Sequence, residues 1–229
     1  MRGLPLLLFA GTALAAMDIQ GSIVIKHKLT KRKVTTAATG YSRGALVPLE
    51  TDAGENPLSF ERRHVVVYLA EAMLAAPTTV TLEQKNREFS PDLVVIAAGS
   101  TVSFPNLDPI FHNVFSLSKP RSFDLGNYSK GQTRLVTFDK PGVVMVNCRL
   151  HTNMSATIVV APNAYFARPD QDGHFVLRGV PPGRHIVVAW HKAAGFFRQP
   201  VDTREGSAAP IEFVIPLSES GTLISANTK

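Results

Sequence analysis

Cys148 is the only cysteine in this 229-residue chain, and it sits in the stretch NCRLHTNM, with His151 three residues after it and Met154 three after that. From Cys148 to Met154 an extended chain reaches at most about 20 Å, so a single turn gathers a thiol, an imidazole and a thioether. Upstream, in PNLDPIFHNVF, His112 stands between a proline-bearing loop and an apolar segment. Each residue alone has an ordinary use: a lone cysteine is a small buried hydrophobe and a methionine fills a core. As a set they are more specific. Soft sulfur ligands with imidazoles suit copper, and a trigonal plane of two histidines and one cysteine with a weak axial methionine is an electron-transfer copper arrangement. Zinc matches less well, because its closed sites use Cys, His or carboxylate and seldom a thioether. Met154 is the residue that separates the two metals.

Four protein ligands leave no position open for a substrate, so the chemistry expected is one electron in and one electron out, with no catalytic residues and no enzymatic turnover. A cysteine hydrolase would need its thiol in an accessible, pKa-lowering setting beside an oriented base; Cys148 instead ends an apolar run. A multicopper oxidase or nitrite reductase would need further histidines, typically as H-x-H pairs, and the sequence has none. The alternative from another class is a copper carrier or structural β-sandwich binding module without redox traffic. His174, His185 and His191 hint at a second metal site, since His185 and His191 share a strand face, but solvated or core histidines are the better account of them.

The elements that must position these groups are strands. DLVVIAAG, STVSFPN, HNVFSL, TRLVTF, GVVMVNC and ATIVVA are short, β-branched or aromatic, and carry a two-residue beat. AAGS, PNLDP, LGNYSKG and DKPG lie between them as turn chemistry. Such a density of short strands predicts an antiparallel sandwich or barrel over residues 79–161. IQGSIVIKH and RHVVVYLA precede it, and DGHFVLRGV, PPGRHIVVAWH and PIEFVIPL follow it. These flanks predict one outer sandwich, residues 17–78 with 162–218, interrupted by the inner unit at a surface loop that tolerates insertion. The polar stretch 28–62 is longer than an ordinary connection and holds either an unrecognised strand or a mobile segment. Residues 219–229 read as a frayed tail.

At the start, Arg2, the apolar run Leu4 to Leu14 and the small residues Ala13, Ala15 and Ala16 have the form of a secretory signal peptide over residues 1–16. No later segment approaches a membrane helix. Export to the periplasm or beyond is the expectation, and a single cysteine then has no intramolecular disulfide partner. The chain carries 24 Lys+Arg against 18 Asp+Glu, a formal charge of +6. Removing the leader with Arg2 leaves +5. That balance is too mild for nucleic acid, although Lys26, Lys28, Lys31, Arg32 and Lys33 form a basic segment for weak contact with an acidic partner or surface. Asn127-Tyr-Ser129 and Asn153-Met-Ser155 match glycosylation acceptors.

The span FSPDLVVIAAGSTVSFPNLDPIFHNVF resembles the first half of a cupredoxin, the plastocyanin-like fold, and FDKPGVVMVNCRLHTNM resembles its metal-binding end, with a spacing like that of amicyanin. The segment DQDGHFVLRGVPPGRHIVVAW resembles part of a transthyretin-like, carboxypeptidase-regulatory sandwich. The whole arrangement is similar to bacterial plastocyanin-like proteins labelled as methylamine-utilization proteins. The resemblance implies an all-β fold, a cupredoxin Greek-key β-sandwich inserted in or flanked by a second small immunoglobulin- or transthyretin-like sandwich. It implies one type 1 (blue) copper ion held by His112, Cys148 and His151 in a plane with Met154 axial. Asn113 would tie the two ligand loops together as an outer partner. It also implies docking of redox proteins through an apolar patch at His151, framed by Leu107, Pro109, Ile110, Phe111 and Leu150. The aromatic residues often found just before the cysteine are replaced here by VVMVN.

Overall fold

In strands with one face turned inward, buried side chains recur at every second position. STVSFP does so: Ser100, Val102 and Phe104 are buried while Thr101, Ser103 and Pro105 are not. The computed structural model describes residues 16–29, 57–204 and 209–216. Nearly all of the proposed leader, residues 30–56 with Lys31, Arg32 and Lys33, and the tail from residue 217 lie outside the described residues. The order begins with β1 (Met17–Ile25), α1 (Pro57–Arg63) and β2 (Val65–Leu69). Ten strands follow: β3 (Thr79–Thr81), β4 (Glu83–Lys85), β5 (Glu88–Ser90), β6 (Leu93–Ala97), β7 (Ser100–Pro105), β8 (His112–Ser118), β9 (Arg121–Tyr128), β10 (Thr133–Phe138), β11 (Gly142–Asn147) and β12 (Ser155–Ala161). The last are β13 (Phe166–Ala167), β14 (His174–Val180), β15 (Arg184–His191), β16 (Gly195–Asp202) and β17 (Ile211–Ile215). The all-β class expected from the sequence is what the chain adopts.

Sheets of order β10-β7-β3 and β6-β12-β11-β8-β9 enclose one core, rich in Phe104, Phe138, Val114, Val144, Val146 and Ile158. Sheets of order β14-β1-β17 and β13-β2-β15-β16 enclose a second, with Ile19, Ile23, Val67, Leu177, Val187 and Phe213. Strands from both sides of the long middle run thus pair in the second sandwich. Gly21 shows why: it lies in β1 between Phe175 of β14 and Ile211 of β17, and a Cβ there would stand 2.4 Å from both the Ile211 carbonyl oxygen and the Phe175 ring. Only a residue without a side chain lets the neighbours close in.

Two local readings are corrected. LGNYSKG reads as a turn, yet Leu125 to Tyr128 continue β9, where Gly126 takes a φ of 67° and the register against β8 shifts between Asn113 and Phe115. A glycine in the left-handed region at a bulge bends a strand without ending it. The end of the stretch 28–62 forms neither a strand nor a loose segment but the start of helix α1, Pro57–Arg63. Pro57 takes its first position, where a missing N–H costs nothing; seven residues are too few to show a helical period.

α1 is tied inward by Glu61, which is fully buried, accepts the Leu29 amide and takes the Nε2–H of buried His191. The Ala193 amide donates to the other ring nitrogen. His191 is thus a neutral, doubly satisfied core histidine, its pKa lowered by burial. His185 bonds the Pro181 carbonyl and His174 is exposed beside Asp170. Residues 185 and 191 are six apart on β15, about 20 Å along a strand, so no second metal site forms from them.

The two sandwiches meet through Val66, Trp190, Leu93 and Val159, and at the rim through His64 and Asp92, 2.8 Å apart. His64 also donates Nδ1–H to the Phe60 carbonyl, so both ring nitrogens are donors and the ring is a cation. Burial opposes that charge, but the bonds to Asp92 and Phe60 outweigh it and raise the pKa. The His64 bond in turn lowers that of Asp92. The signs set a window. The raised histidine contributes fully below about pH 6.5 and loses its contribution as pH rises through the folded value; the lowered carboxylate contributes fully above about pH 3.9 and loses it as pH falls. Denaturant melts across pH should show this added stability, about 0.5–1 kcal/mol for so exposed a carboxylate, between those limits. Asp92→Asn should remove it, and an unchanged pH profile in the variant would contradict the clamp.

Candidate metal centre

His112 opens β8 and Cys148 follows directly on β11, strands that pair at Asn147 and Phe115. Antiparallel pairing therefore sets the imidazole and thiol side by side although 36 positions separate them. His151 arrives by a tight return: the Cys148 amide donates to the Met154 carbonyl at 3.1 Å, extending the β11–β12 ladder, and the Met154 amide donates to the His151 carbonyl at 3.0 Å. Seven residues are closed into one loop between two paired strands.

The three potential ligand atoms form a small triangle. His112 Nδ1 lies 3.1 Å from His151 Nδ1, and Cys148 Sγ lies 4.0 Å from the first and 3.7 Å from the second. The point equidistant from the corners of such a triangle is about 2.1 Å from each, within the range of metal–nitrogen and metal–sulfur bonds. His112 is wholly buried and Cys148 is 5% exposed, while His151 is half-buried at the surface. Among the described residues this is the one group of three or more His, Cys, Asp or Glu side chains close enough to share an ion. Met154 is 1% exposed and packs in the same core as Cys148. The donor set, two imidazole nitrogens and one thiolate sulfur converging at bonding distance, fits copper.

Around the triangle lies a shell that the sequence did not advertise. Asp108, in the loop before β8, takes the Nε2–H of His112 at 2.7 Å. The same carboxylate accepts the amides of Asn86 and Arg87 at 2.7 and 2.8 Å. Those amides belong to the β4–β5 turn, whose two residues both take positive φ. Burial opposes ionisation of Asp108, but the Arg87 amide, the His112 ring and the Asn86 amide together hold its pKa below the usual carboxylate range. The loop itself is shaped by buried Asn106, whose Nδ2 donates to the carbonyls of Ile110 and Tyr128 at 2.9 Å and whose Oδ1 accepts the Asp108 amide at 2.9 Å. Tyr128, opposite His112 on β9, donates to the Phe104 carbonyl at 2.9 Å and accepts from Gln84; burial pushes its phenol up to about 12.

Asn113, expected to tie the two ligand loops together, makes two contacts toward the Cys148 segment. Its backbone amide points at Cys148 Sγ, 3.5 Å away, while its side chain donates to Asp124 of β9 at 2.7 Å. Asp124 also accepts from Arg149, next to Cys148, at 2.9 Å. The Asn113 side chain and Arg149 thus meet on this carboxylate, which links the two ligand segments. The Gly126 amide, then the Asn113 side chain, hold the Asp124 pKa below its ordinary value. Burial first, then the neighbouring His112 ring and the Arg87 charge, lower the pKa of His151, favouring the neutral imidazole a metal requires.

The ligand loops also carry exposed apolar side chains. Leu107, Phe111 and Leu150 are 40%, 59% and 48% exposed. Asn127 and Asn153 are exposed. Among the described residues no helix is long and apolar enough to cross a membrane.

No protein-family model and no curated protein matches the chain. Solved structures similar to part of it include a reduced amicyanin mutant, at 19% identity over 41% of this chain and 97% of amicyanin, with a TM-score of 0.34. A purple cupredoxin from Nitrosopumilus maritimus aligns at 20% identity over 38% of this chain and 100% of its own, TM-score 0.31. A copper-containing nitrite reductase from Thermus scotoductus SA-01 aligns at 27% identity over 40% of this chain, TM-score 0.34, and the match spans only 24% of that protein.

Proposed function

We propose that this protein is an exported, periplasmic or secreted, cupredoxin-like carrier of single electrons, holding one type 1 copper ion with His112, Cys148, His151 and Met154. The observation that carries this reading is the Cys148, His112 and His151 triangle, whose edges of 3.1 to 4.0 Å already match one shared ion. When bound, copper supplies a one-electron couple between Cu(I) and Cu(II). The protein supplies the rest. β8, β11 and the closed loop before β12 hold the donors with little freedom to rearrange, so the ligands stay placed in both oxidation states. Burial of His112, Cys148 and Met154 excludes water and leaves no coordination position for a substrate, which is why turnover of a bound molecule is not part of the proposal. Half-exposed His151, beside Leu107, Phe111 and Leu150, is the contact for redox partners, and an apolar patch of this modest size suits brief encounters. One electron enters from a reduced partner protein and one leaves to an oxidised one, with no bond made or broken.

A redox titration of the copper-loaded protein separates a carrier of electrons from a carrier of metal: reversible, one-electron Nernstian behaviour is expected, and loss of copper on each reduction would contradict the reading. Met154→Leu keeps nearly the same volume, costs under about 1.5 kcal/mol, and retains the visible band. Loss of the thioether lone pair disfavours the more positive ion, so the potential should rise, by about 59 mV for each tenfold loss of Cu(II) preference. An unchanged potential would remove Met154 from the coordination sphere.

A further inference from the structure

Asp108 lies four residues before His112 and is 6% exposed. Every hydrogen bond it makes through its side chain serves one geometry. One oxygen takes the Asn86 amide; the other takes both the Arg87 amide and the His112 Nε2–H. Its own amide is held by Asn106. The carboxylate is thus clamped from two directions before the imidazole meets it, and the imidazole, itself wholly buried, has that oxygen as the partner of Nε2. With the proton committed to Nε2, the lone pair of Nδ1 faces Cys148 and His151. A neutral carbonyl or a water would fix the ring equally well; a carboxylate adds a negative charge one ring away from the triangle. That charge increases the donor strength of Nδ1.

Resting on the copper reading above, we propose that Asp108 is a positioning residue that fixes the Nε2–H tautomer of His112 and, through its charge, biases the centre toward the oxidised ion. The β4–β5 turn is then a structural part of the centre although it contributes no ligand: its two amides keep the carboxylate in place. Asparagine cannot reproduce this arrangement, because an amide NH2 would face the Asn86 or Arg87 N–H, donor against donor.

Two readouts test it, and the first does not need copper. In the metal-free full chain with 15N-labelled histidine, long-range 1H–15N spectra should show His112 protonated at Nε2, with a downfield, slowly exchanging proton. That proton should be lost or should exchange rapidly in Asp108→Ala. An unprotonated Nε2 in the wild type, or a proton indifferent to the substitution, overturns the positioning role. The second readout is the potential of the copper-loaded protein. Asp108→Asn should lower the preference for Cu(II) over Cu(I) by about tenfold, a positive shift of about 59 mV for one electron, with the visible band retained. A potential equal to the wild type overturns the charge bias. If the wild type forms no copper chromophore, the copper reading fails and the charge bias with it, while the nitrogen spectra still decide the tautomer assignment.

Discussion

Cys148→Ser yields a folded protein that no longer develops the intense visible absorption on addition of Cu(II). The band expected of the wild type is a transfer of charge from a thiolate to the metal, and the single sulfur anion that can supply it is Cys148. Serine is nearly isosteric, and at a position 5% exposed its hydroxyl can still receive the Asn113 amide that points at Sγ. Loss of colour therefore reports loss of the ligand and not loss of the fold, which unchanged circular dichroism and an unchanged denaturant midpoint of the metal-free protein should confirm. Copper affinity should fall at least about 100-fold, beyond the upper range seen when only an outer partner of a ligand is removed. Retention of the band in this variant would refute a thiolate-bound metal.

Asn106→Ala has the largest effect expected of any substitution that removes no ligand. The side chain is wholly buried and satisfies three main-chain groups, the carbonyls of Ile110 and Tyr128 and the amide of Asp108. Alanine leaves all three without that partner in a site closed to water, at a cost of 1–3 kcal/mol for each group that stays unsatisfied, so about 3 kcal/mol in sum. The loop it frees carries Asp108 and leads into His112, so copper affinity should drop as well, by about 10- to 100-fold. Chemical denaturation of the metal-free protein and competition with a copper chelator measure the two effects separately. Normal stability with normal affinity would show that the loop is held by the surrounding strands and not by Asn106.

The all-β class was readable because residues such as those of β7 alternate strictly between core and surface. The spacing of Cys148, His151 and Met154 was equally visible, since a short loop brings near neighbours together whatever the rest of the chain does. His112 could be singled out from its place at the edge of an apolar segment, and the structure sets it against Cys148 through the β8–β11 pairing. What surrounds these residues was harder to see. Asp108 sits in PNLDP, where aspartate between prolines is ordinary turn chemistry, and its partners Asn86 and Arg87 are more than twenty residues away. Asp124 lies in a stretch adjoining an apparent turn, and its bridge to Asn113 and Arg149 depends on a bulge that sequence pattern does not reveal. Tertiary hydrogen bonds of this kind have no period, so periodicity cannot find them. The short helix α1 escaped for a related reason: Pro57 is a start signal, but seven residues hold too few turns to show one face.

In the proposed centre, one sulfur and two imidazole nitrogens share a single metal ion. Copper K-edge X-ray absorption of the protein loaded with one equivalent of Cu(II) addresses this arrangement directly, because the fine structure counts and identifies the atoms bound to the ion. One sulfur scatterer is expected, with two nitrogens at about 2.0 Å carrying the outer-shell pattern of imidazole rings. A shell of oxygen and nitrogen alone, with no sulfur, would contradict the proposed centre.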